Sequence, residues 1–263
     1  MPYASIIIAE HSGVVRLSLN RPQKRNALTR ELLRELRDAL GRVEARTDVR
    51  LLVLGAEGSA FCAGMDLGQM EETARQTDAA AVWQADSELY RDVVAALFRL
   101  RMPTLAVVPG PAVAGGLGLV LACDLVLADE TATFALPEPK RGITAAIVSP
   151  LLVYRVGTSA ASFLLLSGQG VDANRGREMG LCHIVETGAA LAARERECER
   201  AILTGAPGAL AVTKAQLRAC STDDVVSQLD QAMRVSAQAR ETAEAREGVQ
   251  AFLEKRPANW HRA

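Results

Sequence analysis

The segment 110–124, which reads GPAVAGGLGLVLACD, constrains the fold of this chain most strongly. It follows the apolar run 104–108 and leads into the helix-competent run 117–123. The order predicts a strand, a tight glycine turn and a helix N-terminus. Unpaired backbone N–H groups and the positive end of the helix dipole favour negative charge at such a turn. Because Gly115 and Gly116 lack side chains, a ligand can approach the backbone closely.

A second glycine loop, residues 55–67, follows the short apolar strand 51–54. Neither loop carries the phosphate-binding pattern G-x-x-x-x-G-K-[ST], nor a G-x-G-x-x-G followed by a ribose-binding acid. Either loop alone could be an ordinary tight turn, and the first could bind a phosphate. Two turns that each aim one backbone N–H at a common point fit the stabilisation of an enolate or tetrahedral oxygen. The pair therefore predicts an oxyanion hole.

The composition is that of a soluble globular protein, with 263 residues, 49% of them hydrophobic and 23% charged. Thirty Lys and Arg against 31 Asp and Glu give a net charge of −1, which predicts neither a nucleic-acid nor a membrane partner. No apolar run is long enough to span a bilayer, and the first residues lack a signal-peptide pattern.

Cysteine and histidine usage argues against metal and disulfide chemistry. The three histidines have no ligand spacing with another His, Cys or carboxylate, so we expect no metal. The five cysteines are scattered without a C-x-x-C pair, which favours reduced thiols and a cytoplasmic location. Cys62 lies in the second glycine loop, beside the proposed site, but no nearby histidine would activate it. His183 lies in an apolar setting that is typical of a structural position.

The periodicity changes along the chain. Strands and helices alternate in the first half, which indicates an α/β architecture: a hairpin of 6–8 and 14–19, a helix at 30–45 behind the N-cap Thr29, strands at 51–54, 104–108 and 125–128, and a helix at 88–100. Beyond about residue 155 the pattern is helical, at 159–166, 173–179, 189–203, 207–218 and 223–254. Segment 69–86 has weak periodicity and fits either a mobile flap or a surface helix.

Five motifs, in order, resemble the crotonase (enoyl-CoA hydratase/isomerase) superfamily. They are RPQKRNAL at 21–28, AFCAGMDL at 60–67, VAGGLGL at 113–119 with ACD at 122–124, FALPE at 134–138, and the tail 247–261. The segment 141–157 is similar to that of bacterial methylglutaconyl-CoA-type hydratases, although Ala145 replaces their usual proline. The resemblance implies a ββα spiral core over residues 1–200, which carries the active site. It also implies a C-terminal α-helical trimerisation region over 201–263, in a homotrimer or dimer of trimers.

The resemblance also implies the chemistry of the site. The backbone N–H groups of Met65 and Gly115 would form the oxyanion hole. Glu138 of the Pro-Glu motif would act as general acid/base, with a pKa that burial would raise and a close Arg141 would lower. The hydratases carry a second glutamate where this chain has Gly118.

Other acids near the acyl pocket could replace the missing glutamate. Asp86, Glu88 and Tyr90 lie on the segment that would flank the pocket. Asp66 belongs to one of the matching motifs, where a structural role is the simpler interpretation. The sequence favours none of the four.

The CoA part of the substrate would be held by residues that match the family, and no separate cofactor is expected. Lys24 and Arg25 would face the phosphates; the alternative interpretation of these two residues is a solvated turn. The backbone of Ala63, Asp66 and Leu67 would line the adenine and pantetheine path. Phe252 and Lys255 match tail positions that, in the family, reach CoA on a neighbouring subunit.

The function implied first is an enoyl-CoA hydratase of fatty acid metabolism, which adds water across the 2,3 double bond of a straight or branched 2-enoyl-CoA. The alternatives are a Δ3-Δ2 enoyl-CoA isomerase with Glu138 as proton shuttle, a CoA-thioester hydrolase, and an acyl-CoA-binding subunit without activity. The lone Glu138 suits the isomerase. Loss of one catalytic glutamate suits the binding subunit.

Overall fold

Two sheets organise the N-terminal two thirds of the molecule. The computed structural model describes residues 3–219 and 224–260. The larger sheet has the order β1-β2-β3-β4-β6-β9, antiparallel between β1 and β2 and parallel elsewhere; the smaller one has the order β5-β7-β8. The strands are β1 Ile6–His11, β2 Val14–Leu19, β3 Leu51–Ala56, β4 Thr104–Val108, β5 Ala112–Val113, β6 Leu125–Asp129, β7 Thr133–Ala135, β8 Val171–Asp172 and β9 Ile184–Glu186.

Helices connect the strands and make up most of the C-terminal third. They are α1 Arg30–Glu44, α2 Leu67–Ala74, α3 Ala79–Arg99, α4 Gly115–Leu121, α5 Val148–Ser167, α6 Ala173–Met179, α7 Gly188–Thr204, α8 Pro207–Ala219, α9 Val225–Ala239 and α10 Ala243–Leu253. Short 3-10 turns cover Pro22–Lys24 and Glu138–Arg141. Helix α3 packs on α1 and α9, α4 packs on α5, and α10 lies against the Glu138–Arg141 turn.

The strand predictions are confirmed closely because the buried strands are apolar throughout. Strand β4 has the predicted bounds, and every residue of it is buried. The predicted hairpin pairs Ile6 with Leu19 and His11 with Val14 around Ser12-Gly13. Helix α1 begins as predicted, where Thr29 accepts a hydrogen bond from the Leu32 N–H at 3.2 Å.

Three helix predictions were wrong in their bounds. Helix α3 begins at Ala79 rather than 88, because Trp83, Asp86 and Ser87 continue its buried face. Segment 69–86 is therefore helical in α2 and α3. Helix α5 begins at Val148 rather than 159; Pro150 is tolerated in its first turn, and a non-helical Gly157 divides it. The predicted helix 223–254 is two helices, because Thr242 caps a new one by accepting from Ala245 N at 3.1 Å.

Helix α5 is, among the described residues, the one helix long and apolar enough to cross a membrane by length and composition alone, with a mean hydropathy of 1.3. Its residues Leu151, Leu152 and Leu164 are fully buried in the protein core. A core helix meets the same two criteria, so this finding does not identify a membrane segment. The expectation of no membrane partner stays a prediction.

Candidate active site

The two glycine loops meet at the ends of the parallel strands. The Cys62 N–H donates to the Pro111 carbonyl at 3.1 Å, and the Val113 N–H donates to the Cys62 carbonyl at 2.9 Å. Gly64 has a φ of +89°, and a Cβ built there would lie 2.7 Å from the Ala114 Cβ. Position 64 therefore requires glycine for two reasons, its left-handed backbone conformation and the close approach of the two loops.

Each loop presents one backbone N–H at this junction. The Ala63–Met65 loop is fixed on both sides of Met65, by Leu28 N–H to Gly64 O at 2.8 Å and Asp66 N–H to Leu28 O at 3.0 Å. Within the described residues, the N–H groups of Met65 and Gly115 have no acceptor. Two fixed, unpaired donors in one place are what an oxyanion needs.

Backbone strain is found in the Val113–Gly115 loop. Ala114, immediately before Gly115, has φ 54° and ψ −128°, a conformation that non-glycine residues rarely adopt. It is held there by its N–H bond to the Ala135 carbonyl at 2.9 Å, and the Tyr90 hydroxyl donates to the Gly115 carbonyl at 2.6 Å. Strain of this kind persists only where surrounding contacts enforce it, and here it orients the peptide that carries the Gly115 N–H.

A cavity of about 490 Å³ opens at this junction. Its lining includes nine of the ten predicted site residues: Lys24, Arg25, Ala63, Met65, Asp66, Leu67, Gly115, Glu138 and Phe252. The tenth, Lys255, is exposed and does not line the cavity. Further lining comes from Tyr90 on α3, from Ser236 on α9 and from Arg240, the C-cap of α9. One cavity thus joins the backbone donors to a carboxyl group.

Glu138 is the buried carboxyl group of the cavity, whereas Asp66, which also lines it, caps α2. Glu138 is 6% exposed, and its Oε2 has no hydrogen-bond partner among the described residues. Burial raises its pKa from 4.5 to about 7, while its own backbone N–H and the Arg141 guanidinium oppose the rise. A carboxyl group with a pKa near neutrality and a free oxygen can exchange protons with a ligand.

The Tyr90 hydroxyl takes the space that a side chain at position 118 would need. A Cβ built on Gly118 would overlap the Tyr90 oxygen and lie 3.0 Å from Val148 Cγ2. Tyr90 is 3% exposed, and burial raises its pKa well above the usual value, so its hydroxyl is neutral. The hydroxyl can donate and accept hydrogen bonds here but cannot serve as a carboxylate base.

The other acids considered from the sequence do not replace the missing glutamate. Both oxygens of Asp86 accept from the Arg30 guanidinium, at 2.6 and 2.9 Å. Glu88 is exposed and accepts from the Gln84 amide at 2.9 Å. Asp66 caps α2, accepting from Gly68 N at 3.1 Å. Each is occupied by a structural contact or faces away from the cavity.

The cavity mouth carries the basic residues. Lys24 and Arg25 are exposed beside the Ala63–Met65 loop, whose Ala63 N–H donates to the Arg25 carbonyl at 2.9 Å. Asn26 behind them is fully buried and donates to the carbonyls of Glu57 and Ala60, both at 2.9 Å. The motif around Asn26 thus connects the basic turn to the loop that carries Ala63 and Met65.

The C-terminal helices close the cavity from the same chain. The Arg141 guanidinium lies 4.3 Å from the centre of the Phe252 ring, a cation-π contact beside Glu138. Arg240, at the end of α9, is 8% exposed. The expectation that Phe252 and Lys255 serve a neighbouring subunit stays a prediction.

Cysteine and histidine positions agree with a site that lacks thiol chemistry. Burial raises the pKa of the Cys62 thiol to about 12, so it is not a nucleophile. His183 accepts from the Val126 N–H at 3.0 Å through Nδ1, a structural contact. The described residues contain no group of three or more possible metal ligands and no disulfide. Cys220 and His261 lie outside the described residues.

Three residues of the site were missed or undervalued from the sequence. Tyr90 was one of several candidates to replace the missing glutamate. The one sequence signal that favours it over the others is the glycine at position 118, which packs against it. Arg240 stands in a run rich in Ala, Gln and Arg, where a solvated side chain is the ordinary expectation. Asn26 shows its role only through its buried hydrogen bonds.

The comparisons with known proteins agree with this geometry. The sequence model of the family "Enoyl-CoA hydratase/isomerase" matches residues 9–263. A putative enoyl-CoA hydratase of Thermus thermophilus is 39% identical over 96% of this chain and 99% of its own. A 1,2-epoxyphenylacetyl-CoA isomerase of Escherichia coli is 31% identical over 93% of this chain and 93% of its own.

Solved structures show the same fold. An enoyl-CoA hydratase/isomerase from Xanthobacter autotrophicus Py2 superposes with a TM-score of 0.87 and 32% identity, covering 99% of this chain and 100% of that one. The sequence motifs, the paired loops and these matches lead to one conclusion. The chain belongs to the enoyl-CoA hydratase/isomerase family, the crotonase superfamily, and has its α/β fold.

Proposed function

We propose that this protein is an enoyl-CoA hydratase, which adds water across the 2,3 double bond of a 2-enoyl-CoA. The observation that carries the proposal is the juxtaposition, in one cavity, of the unpaired Met65 and Gly115 N–H groups with the buried, partly free Glu138 carboxyl. A 2-enoyl thioester needs both features, because its carbonyl oxygen becomes an enolate while a proton must be moved at C2.

Hydration in this site runs in two steps. Ionised Glu138 takes a proton from a water molecule as the water oxygen bonds to C3, and the electrons of the C2=C3 bond move to the thioester oxygen. The Met65 and Gly115 N–H groups hold that enolate oxygen; each such donor contributes roughly 2.7–4 kcal/mol. The protonated Glu138 then gives its proton to C2, which restores the thioester and the ionised carboxylate.

Tyr90 takes the place of the second acid. Its hydroxyl donates to the Gly115 carbonyl, so its oxygen lone pairs remain able to accept a hydrogen bond from the attacking water. It lines the same cavity as Glu138. In this proposal, one carboxyl group carries out both transfers of the proton, from water and then to C2, and the neutral phenol orients the oxyanion loop and the water.

CoA binding is the second part of the proposal. The exposed Lys24 and Arg25 suit the CoA phosphates, and the cavity-lining backbone of Ala63, Asp66 and Leu67 suits the pantetheine path. Phe252, stacked on Arg141, would cover it. Lys255, outside the lining of its own cavity, is proposed to serve CoA only across a trimer contact.

The test is the absorbance of the conjugated enoyl thioester together with the product mass, over a panel of straight and branched 2-enoyl- and 3-enoyl-CoAs. Loss of absorbance from a 2-enoyl-CoA, with a product heavier by one water, supports hydration. Release of free CoA thiol instead would identify a thioester hydrolase. Tight acyl-CoA binding with no turnover would identify a binding subunit.

A Δ3-Δ2 enoyl-CoA isomerase is the second candidate, favoured by the single carboxyl group. Glu138 would remove a C2 proton from a 3-enoyl-CoA, the oxyanion hole would hold the dienolate, and the same proton would return at C4. Neither water nor a second acid is needed. A gain of absorbance from a 3-enoyl-CoA without a change in mass would establish it in place of hydration.

A further inference from the structure

Helix α10 lies backbone to backbone against the turn that carries Glu138. A Cβ built on Gly248 would overlap the carbonyl group of Arg141 and lie 2.8 Å from its Cα. One turn earlier on the same face of the helix, the Glu244 carbonyl would overlap a Cβ built on Gly142, which has a φ of +66°. Arg141 and Gly142, two consecutive residues of the turn, thus contact α10 at two points, and each contact requires a glycine.

Helix α10 depends on this docking. It has 11 residues, too few for a stable isolated helix in water. Thr242 caps its first turn, and the side chains of Ala245, Val249 and Ala251 are buried. Its packing partners are the Glu138–Arg141 turn and α2. The formation of α10 and its contact with the turn are therefore one event.

The short turn transmits this contact to Glu138. Glu138 and Arg141 are the first and last residues of a single 3-10 turn, and the Ile143 N–H donates to the Glu138 carbonyl at 3.2 Å. The Arg141 guanidinium stacks on the ring of Phe252, which also belongs to α10. A displacement of α10 from Arg141 would therefore move the turn and admit water to the buried carboxyl group.

Burial affects Glu138 more than charge does. The charged side chains on the turn and on the two helices packed against it are Lys140 and Arg141 on the turn, Glu244, Arg246 and Glu247 on α10, and Arg155 on α5. Burial raises the pKa of Glu138 to about 7, and among these side chains Arg141 opposes the rise. Tyr90, on α3, is neutral. The protonation of Glu138 therefore depends on how well its surroundings exclude water.

We propose that Gly248 is a positioning residue for Glu138, which lets α10 close on the backbone of Arg141 and keep water from the carboxyl group. The inference rests on the proposed function for what Glu138 does, but how the carboxyl group is held can be measured without turnover. Docking and protonation are then coupled, because a neutral Glu138 favours the docked helix and an ionised Glu138 disfavours it.

The first test is an infrared titration of the Glu138 carboxylic acid band, taken as the difference between each protein and its Glu138→Gln counterpart. We expect a midpoint near pH 7 in the native protein. In Gly248→Ala the midpoint should fall by about one pH unit or more, because the carboxyl group becomes hydrated. Gly41→Ala, within α1 where a Cβ meets no atom within 4 Å, should keep the native midpoint.

A second variant separates the Gly248 contact from a general weakening of α10. Val249 is 9% exposed and lines an adjoining cavity of about 340 Å³. Val249→Ala removes buried apolar surface from the same helix without adding an atom beside Arg141, so the protein should melt at a lower temperature but keep the native Glu138 midpoint. Equal shifts in Val249→Ala and Gly248→Ala, or no shift in Gly248→Ala, would overturn the inference.

Hydrogen exchange tests the coupling in the native protein, and so does not depend on the folding of Gly248→Ala. Relative to the amides of α1, those of α10 should lose protection by about tenfold or more as the pH rises past 7, since one unit of pKa corresponds to a factor of ten. The loss should be absent in Glu138→Gln. Protection of α10 that does not change with pH in the native protein would overturn the inference. A raised Glu138 midpoint without hydration of any 2-enoyl-CoA would instead refute the proposed function alone.

Discussion

The cavity has two walls of different origin. The strand-end wall consists of the Ala63–Met65 and Val113–Gly115 loops with Glu138, at the ends of parallel strands. The helical wall consists of Tyr90 on α3, Ser236 on α9 and Arg240, the C-cap of α9. The first offers backbone N–H groups, held by sheet-like hydrogen bonds between the loops. The second offers side chains on helices that pack against one another.

Under the proposed function, the strand-end wall determines the type of reaction and the helical wall determines the choice of substrate. A backbone donor does not depend on which side chain it carries, so the strand-end wall keeps its chemistry while surrounding residues vary. A side chain on a helix changes its chemistry with a single substitution. We therefore expect variants of the strand-end wall to reduce turnover for every substrate, and variants of the helical wall to act on particular substrates.

The largest effect is expected from Glu138→Gln, which keeps the shape of the side chain and removes its proton transfer. Turnover should fall by about 10²–10⁴, the usual contribution of a general acid/base, while acyl-CoA affinity is kept. Steady-state kinetics beside calorimetry would measure both. Retained turnover in this variant would contradict the role given to Glu138.

The next effect is expected from Gly64→Ala, which forces a methyl group against Ala114. The displaced loop should lose the Met65 donor and reduce turnover by about 10²–10³ for all substrates alike. Gly208→Ala, where a Cβ meets no atom within 4 Å, is the matched control and should keep full activity. A loss of turnover for one substrate only would contradict the distinction between the two walls.

The desolvation of Glu138 predicts a pH dependence of stability. Its raised pKa means that the folded protein binds this proton more tightly than the unfolded chain, so its contribution to stability is present at pH 4 and is lost as the pH rises to about 7. Glu138→Gln should therefore stabilise the fold by up to about 3 kcal/mol at pH 8, and little at pH 4. Denaturant unfolding at the two pH values measures the difference in stability between the variant and the native protein. Equal stabilisation at pH 4 and pH 8 would show that the Glu138 carboxyl is not desolvated in the folded protein.

The smallest effect is expected from Tyr90→Phe, which removes one hydrogen bond to the Gly115 carbonyl. A loss of about 1 kcal/mol, or several-fold in turnover, is expected. Gly118→Ala should reduce turnover more in the native protein than in the Tyr90→Phe variant, because the added methyl group overlaps the Tyr90 oxygen. Purely additive effects in this double-mutant cycle would show that the two positions do not interact.

The sequence predicted the strand-end wall far better than the helical one. The glycines that follow the apolar strands identify the two loops in the sequence, and Glu138 belongs to the Pro-Glu motif. The resemblance therefore predicted that the loops and Glu138 share one site. Periodicity finds the buried face of a helix but not which polar side chain is exceptionally buried there; Arg240 was therefore missed. The bounds of α3 and the division at Thr242 depended on packing and capping, which a local pattern records weakly.

Several expectations stay predictions. The trimer or dimer of trimers, the cytoplasmic location and the likeness to methylglutaconyl-CoA-type hydratases depend on other subunits, a cellular compartment or a substrate. The division at residues 200 and 201 also stays a prediction.

The overlap between Tyr90 and any side chain at position 118 also limits the evolutionary routes open to this protein. Replacing Gly118 with glutamate would drive the new side chain into the phenol before it could act as an acid. Removing the phenol first would loosen the oxyanion loop, because Tyr90 holds the Gly115 carbonyl. A site with two carboxyl groups is therefore reached only through an impaired intermediate.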